Sequence, residues 1–425
     1  MPKQIKSNKK NNMKSKISII NENSINMISN TSQENTSLKS TSLEKSTSDE
    51  IKNFKKFEFK KYCSRYSFIP FIFNKVRRIV VLGDIHGDYE LAIKLLTLSK
   101  VAKIKTTNKK KSYGKLDLSS DDDEVNLEWI GGDTHVVQVG DQIDRCRPLG
   151  SKTCDNPNTI KMSDDENSDM KILKLFTKLH ELAKEDGGSV ISLLGNHELM
   201  NSLGETQYVS FVGLKEIFDK YKIDGVEFND GADARRHAFK PGNKYGNLLG
   251  CSRNAAVIIG SNLFVHAGLI DTFVEQIGLD DLNDFENVNI LIKKWLLGLI
   301  NTNQINTLVK SQDSMFWTRI LGSIPAGKPM EYEECKNNVT KVLKLFKING
   351  MIVGHTPQSF LFNKDINATC SNKIWRVDNG SSKAFDPYDK YFIDNGEKHH
   401  NRRAQYLEIL NDTEFNIYDE NGKVN

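Results

Sequence analysis

No stretch of this chain approaches the roughly 18 uninterrupted apolar residues that a membrane-spanning helix needs. The richest run, Ile290 to Ile300, is short and broken by Lys293 and Lys294, so it reads as a buried amphipathic helix. The lysines near the N-terminus have no apolar segment behind them, which argues against a secretory leader. A strong excess of charge of one sign is missing as well. A formal net charge of +4 over 425 residues gives no footing for specific nucleic-acid binding. The six cysteines, Cys63, Cys146, Cys154, Cys251, Cys335 and Cys370, form neither a CxxC pair nor a zinc-finger spacing, which reads as reduced thiols in a cytoplasmic protein.

What is present describes a globular chain long enough for one large catalytic domain or two ordinary ones. Residues 1 to about 50 are dominated by Lys, Asn, Ser and Thr without helical or strand period, a composition that cannot offset the entropy of ordering, so a disordered tail is expected there. Order is expected to begin between Phe54 and Phe73. The expected division is a tail and lead-in over 1–72, a catalytic domain over 73–412 and a short C-terminal tail over 413–425. Two polar interruptions, Lys103 to Glu124 with its acidic run Ser119 to Glu124, and Ser151 to Ser168, read as surface loops. Around them recur short Val- and Ile-rich runs, each followed by Gly, polar residues and often a helical pattern, which is the signature of an α/β fold. Leu91, Leu95 and Leu98 define one helix face. A second helix is predicted from about Ser168 to Asp186, with Ile172, Leu175, Phe176 and Leu179 on one face and Gly187-Gly188 as its stop.

Five of the strand-like runs end in residues that bind metals. Ile79 to Leu82 leads into Gly83-Asp84-Ile85-His86-Gly87, and His135 to Val139 into Gly140-Asp141-Gln142-Ile143-Asp144-Arg145. Val190 to Leu194 leads into Gly195-Asn196-His197-Glu198, Leu263 to Val265 into His266, and Met351 to Val353 into Gly354-His355. In α/β sheets ligands collect beyond the carboxyl ends of the strands, so all five sets are expected at one edge. The Gly before Asp84, Asp141, Asn196 and His355 is expected to permit a sharp turn from strand to loop. A lone His or an Asp beside Gly is usually just structural or turn chemistry, but five in this order point to a common site.

Carboxylate, amide and imidazole donors without thiolates suit Mn first, with Fe or Zn as the other candidates. Two such ions can clamp a phosphate and acidify a water, which then attacks phosphorus without a protein nucleophile. Arg145 is the expected phosphate clamp, because a guanidinium offers paired donors. His197 is the expected general acid, held in its tautomer by Asp144.

These residues resemble the signature of the calcineurin-like phosphoesterases: GDxHG at Gly83 to Gly87, GDxxDR at Gly140 to Arg145, GNHE at Gly195 to Glu198, then His266 and the GH of Gly354-His355. Finer features are similar to the Shewanella-like protein phosphatases: Trp129 to Gly132, Arg235-Arg236 with Phe239 to Gly242, Phe264 to Leu269, Gly354 to Gln358 and Trp375 to Asp378. The resemblance implies a β-sandwich flanked by helices with two divalent metals at one sandwich edge. It implies that Asp84 and His86 bind the first metal, that Asp141 bridges, and that Asn196, His266 and His355 bind the second. Arg145 would hold phosphate, and His197 with Asp144 would form the acid pair. Cys146 stands where these enzymes usually have Gly, which leaves either an oxidisable thiol near the phosphate or a small buried residue. A second phosphate arginine is fixed by no motif, and Arg253 and Arg319 are both candidates.

The implied function is a protein phosphatase acting on phosphoserine, phosphothreonine or phosphotyrosine. The same chemistry could serve dinucleotide polyphosphates or other small phosphoesters, and a domain that binds metal without catalysis is the alternative of another class. Pocket depth, and with it the choice between phosphotyrosine and phosphoserine, is expected to depend on loops within Gly204 to Gly246. No membrane partner is expected.

Overall fold

The computed structural model describes residue 43 and residues 45–105, 127–160, 164–165, 167–362, 364–394 and 402–424. Most of the first interruption, its acidic run and the first 42 residues therefore lie outside the described residues. Two sheets dominate. The first has seven strands in the order β15 (Gly422–Val424), β14 (Glu414–Asp419), β13 (Tyr406–Leu410), β2 (Arg78–Leu82), β5 (His135–Gln138), β6 (Ser189–Leu193) and β7 (Arg253–Asn254). The second has six, ordered β1 (Ile72–Phe73), β8 (Ala256–Ile259), β9 (Asn262–Val265), β10 (Gly350–Val353), β12 (Ile374–Arg376) and β11 (Asn367–Thr369). A separate hairpin pairs β3 (Ala102–Ile104) with β4 (Leu127–Trp129) across the first interruption.

Alternation along the strands explains the layering. Ile79 and Val81 of β2, Val137 of β5 and Ile191 and Leu193 of β6 pack with Val257, Ile259, Phe264 and Ile352 of the second sheet, forming the inner core of a sandwich. Val80, Leu82, Val136 and Val190 point the other way, onto Leu91 and Leu95 of helix Tyr89–Leu98 and Ile172, Leu175, Phe176 and Leu179 of helix Asp169–Glu185. Both helices lie where the periodicity puts them. The second sheet is covered on its outer face by a larger helical cluster that includes Phe273, Phe285, Val288 and Trp295. The fold is thus mixed α/β, a sandwich with helices on both outer faces.

Three expectations are corrected. Helix Ser48–Asn53 begins well before Phe54, and Ile51, Phe54 and Phe59 are buried in the large cluster, so the lead-in is part of the packed core. At the other end, β14 and β15 extend the seven-stranded sheet, and the residues after 412 are its edge rather than a tail. All six cysteines are paired, as Cys63–Cys251, Cys146–Cys154 and Cys335–Cys370. Two of these pairs span 188 and 35 residues, a juxtaposition made by the tertiary fold and invisible to spacing rules. Disulfides persist in oxidising surroundings, so the ground for a cytoplasmic reading, reduced thiols, falls away. No helix among the described residues is long and apolar enough to cross a membrane.

The expected amphipathic helix runs over Leu282–Leu296, but Lys293 is on its buried side. Its Nζ donates to the carbonyls of Gly250 at 3.2 Å and Arg253 at 2.6 Å, and burial pushes its pKa from 10.5 down to about 7. Between those values the unfolded chain carries a proton that the folded chain has shed. Stability should therefore rise with pH across this window, by up to about 1.4 kcal/mol per unit. Urea midpoints measured from pH 7 to 9 should climb in the wild type and flatten in Lys293→Met. An unchanged slope in the variant would contradict the assignment.

Candidate metal centre and active site

Strands β2, β5 and β6 run parallel in one sheet, and β9, β10 and β12 run parallel in the other. Their carboxyl ends converge, so the residues that follow share one edge of the sandwich. Asp84, His86, Asp141, Asn196, His266 and His355 are all buried there. The glycines serve this convergence mainly by size. A Cβ on Gly195 would collide with Oδ1 of Asp141, and one on Gly354 with Oδ1 of Asp84. The expected sharp turn holds at Gly140, whose φ is 103°, and otherwise falls on the ligand-type residues themselves: His86, Asp141 and His355 have φ of 48°, 54° and 66°. Non-glycine residues in that region are uncommon, and such strain gathers at functional sites.

Asp141 occupies the middle. Its Oδ2 is 3.3 Å from His266 Nε2, 3.7 Å from His86 Nε2 and 3.9 Å from His197 Nε2. Two groups able to hold an ion share it, His86–Asp141–His197 and Asp141–His266–His355. Asp84 adjoins the first group, with Oδ2 3.8 Å from His86 Nε2, and Asn196 the second, with Oδ1 3.0 Å from His266 Nε2.

The histidine tautomers follow from their outer partners. His86 and His266 direct Nδ1 to the carbonyls of Ile143 and Val139, at 3.4 and 2.9 Å, and His355 directs Nε2 to that of Trp317 at 3.0 Å. A carbonyl only accepts, so each of these nitrogens carries the proton and the opposite one turns a lone pair inward. His266 Nε2 and His355 Nδ1 then face each other at 3.2 Å, with Asn196 Oδ1 beside them. Three acceptors this close need a positive partner. Burial, reinforced by Arg147 for His86 and by Arg319 for His355, holds both of these histidines well below the usual range and hence neutral. Burial also lowers His266, but the Asp141 carboxylate outweighs it and raises the net value, so a proton is drawn to the same inward position.

The carboxylates make the same demand. Burial, then the charges of Asp378 and Asp141, pushes Asp84 well above its ordinary value, and burial takes Asp378 up to about 6. Glu198 is raised by burial and by Asp141. Burial would raise Asp141 too, but His266 and His197 hold it well below the carboxylate range. Asp378 also keeps Oδ2 buried without a hydrogen bond among the described residues. Four carboxyl groups in one dry site cost several kcal/mol each unless cations compensate them. The donor set therefore fits divalent metal ions.

His197 is held differently from the other histidines. Its Nδ1 is 2.8 Å from Oδ2 of Asp144, whose Oδ1 accepts from Asn201 Nδ2 at 3.0 Å and Arg235 Nη2 at 3.3 Å. Arg235 also donates to Asp169 at 2.8 Å, and Asp169 accepts the main-chain N–H of Asp144. Asp144 is thereby fixed, and it presents His197 with Nε2 toward the cluster. Glu198 does comparable positioning work: its carboxylate accepts the N–H groups of Asp141, Gln142 and Gly195 at 3.0, 2.8 and 2.7 Å, tying the loops after β5 and β6 together.

Arg145 and Arg147 line a cleft beside the cluster, and Arg145 Nε is buried without a partner among the described residues. Arg319 donates to the carbonyl of His355 at 3.0 Å, which brings it to the site. Arg253 is not there. It is the first residue of β7 and fully buried, with its donors committed to Gln142, Thr177, Ser252 and the carbonyl of Leu173. Arg253→Gln should destabilise the fold by about 3 kcal/mol or more, while leaving KM for a small aryl phosphate within about twofold. A stable variant with a strongly raised KM would return Arg253 to the phosphate site.

The sequence reading missed Glu198, Asn201, Arg235 and Asp169 as positioning residues, and Asp378 as a site carboxylate. Asp378 carried a positional signal, because it follows the end of β12 as the other site residues follow theirs, and Glu198 and Arg235 stood within the motifs of the resemblance. The segment Gly204 to Gly246, expected as loops, is largely helical, over Phe211–Lys220, Gly231–Phe239 and the start of Lys244–Ser252. Its contribution to the site is Arg235 and Tyr208, whose ring packs edge-on against His197 at 4.9 Å.

A helix-flanked sandwich with this cluster at its strand ends belongs to a class of phosphoric ester hydrolases. The profile of the calcineurin-like phosphoesterases matches residues 77–359, and the chain is a member of that family. It is 35% identical over 255 residues to an uncharacterised protein of Acanthamoeba polyphaga mimivirus, covering 57% of this chain and 96% of that one. It is 27% identical to Shewanella-like protein phosphatase 2 of Arabidopsis thaliana, over 73% of each chain. A cold-active protein tyrosine phosphatase structure shares the fold, with a TM-score of 0.52 and 18% identity over 89% of this chain and 85% of the other.

Proposed function

We propose that this chain is a protein phosphatase that hydrolyses phosphate monoesters of serine, threonine or tyrosine with the help of two divalent ions. The observation that carries the reading is Asp141 Oδ2, one carboxylate oxygen standing between the two histidine groups. Similarity to Shewanella-like protein phosphatase 2 over most of both chains supports a protein substrate. Asp84 and His86 would hold the first ion and Asn196, His266 and His355 the second, with Asp141 shared. Mn is the first ion to test, with Fe and Zn behind it.

Ions bound there would neutralise charge on the phosphoryl oxygens and acidify the attacking water. The remaining work belongs to the protein. Arg145, with its unpartnered Nε, and Arg319, with one donor on the His355 carbonyl, orient the phosphoryl group. His197, with its Nδ1–H held by the Asp144 carboxylate, gives the Nε2 proton of its imidazolium form to the departing oxygen and is left as the neutral ring. Burial of the whole cluster strengthens each of these interactions.

Turnover of phosphopeptides should be compared with that of diadenosine tetraphosphate by Mn-loaded protein. Preference for the phosphopeptides is expected. Strong preference for the dinucleotide would replace the protein-phosphatase reading with a small-phosphoester one. Protein that binds metal yet hydrolyses neither substrate, nor p-nitrophenyl phosphate, would favour a binding module.

A further inference from the structure

The cleft beside the cluster has a volume of about 630 Å³ and is lined by Arg145, Arg147 and Lys152 together with the helix Asp386–Asp394 and residues just before it. Arg147 is only 5% exposed, yet its donors are not all used. Nη1 donates to the carbonyls of Asp144 and Cys146 at 3.0 and 2.8 Å, and among the described residues no hydrogen bond reaches Nε or Nη2. Its guanidinium lies 4.9 Å from the Phe385 ring and 5.6 Å from that of Tyr208. Those two rings pack in turn on His86, at 5.3 Å, and His197, at 4.9 Å. The arginine is thus one aromatic layer from the phosphoryl-transfer centre.

The carboxylates of the lining do not neutralise this wall. Asp386 faces Arg402, Asp394 faces Lys390 at 2.7 Å, and Asp164 meets Arg145 through its main-chain carbonyl at 3.4 Å. None of Arg145, Arg147 and Lys152 has a carboxylate within ion-pair distance among the described residues. The Cys146–Cys154 disulfide closes the loop that bears Arg147 and Lys152, so the two cations sit on a covalently fixed wall. The Nε and Nη2 donors of Arg147 are not sealed from solvent, so they stay open to an anion that enters the cleft.

We propose that Arg147 and Lys152 form an anion subsite that takes a second negative group of the substrate, a carboxylate or a second phosphate close in sequence to the scissile phosphoester. The inference rests on the protein-phosphatase reading for its substrate class. It makes this enzyme selective for phosphorylated sites in acidic or multiply phosphorylated segments. The planar fork of Arg147 supplies paired donors and Lys152 adds a mobile charge at the rim.

Three phosphoserine peptides that differ at one flanking position, Ala, Asp or a second phosphoserine, are used to compete with p-nitrophenyl phosphate in the full chain loaded with Mn. At least one of the anionic peptides should compete about tenfold better than the Ala peptide, and the anionic group that gains identifies the preferred source. That gap should narrow in Arg147→Gln and in Lys152→Gln, the latter on an exposed side chain whose loss does not threaten folding. Because the gap is read within each variant, any loss common to all peptides cancels. Equal competition by all three peptides in the wild type, or a gap unchanged in both variants, overturns the subsite. Peptides that compete with the expected gap yet release no phosphate would overturn the protein-phosphatase reading and leave the subsite standing.

Discussion

Asp141→Asn should lower kcat for p-nitrophenyl phosphate by on the order of 10³-fold or more and should reduce the metal retained after dialysis. The substitution keeps the shape of the side chain, and its Oδ1 can still accept the His197 N–H now at 2.9 Å. What it removes is charge from the one position that faces both His86 and His266. With Asp84 and Asp378 pushed toward protonation by burial, Asp141 is the carboxylate that the surrounding histidines keep ionised. Metal content and turnover should therefore fall together. A variant that keeps full metal content and full activity would show that the shared oxygen is incidental.

His197→Ala should lower kcat by about 10² to 10⁴-fold, and the loss should depend on the leaving group. A p-nitrophenoxide departs with little need of a proton, whereas a serine alkoxide needs one, so the deficit should be larger on a phosphoserine peptide. This comparison separates two roles that the geometry allows. His197 Nε2 is close enough to Asp141 to complete an ion-binding group with His86, but its Nδ1 is paired to a carboxylate while the other three histidines pair to carbonyls. A carboxylate partner holds the ring with its Nδ1 proton outward, the orientation that an acid–base histidine uses. Equal loss on both substrates, accompanied by loss of metal, would make His197 a ligand instead.

Much of this site was legible because its determinants are local. Each of Asp84, Asp141, Asn196, His266 and His355 comes one to three residues after a strand, and a strand rich in Val and Ile announces itself by composition. The helices Tyr89–Leu98 and Asp169–Glu185 were equally readable, since a buried face repeats at helical spacing. What escaped depends on contacts between distant segments. Glu198 acts on the backbone of Asp141, Gln142 and Gly195, Arg235 reaches Asp144 across 91 residues, and Arg253 spends its donors on the helix Asp169–Glu185 and on Gln142. An arginine looks the same in sequence whether it faces phosphate or fills a core. The cysteines failed for the same reason, because partners such as Cys63 and Cys251 meet only once the sandwich has closed. Asp378 lies between these cases: it follows a strand end, but β12 is the short Ile-Trp-Arg, which lacks the aliphatic run that marks the others.

The most direct test of the two-ion account is to strip the wild-type protein of metal and titrate Mn back while following hydrolysis of p-nitrophenyl phosphate. The account predicts negligible activity in the stripped protein and full recovery as two equivalents of Mn per chain are taken up. Undiminished hydrolysis after stripping, or no recovery with Mn, Fe or Zn, would contradict it.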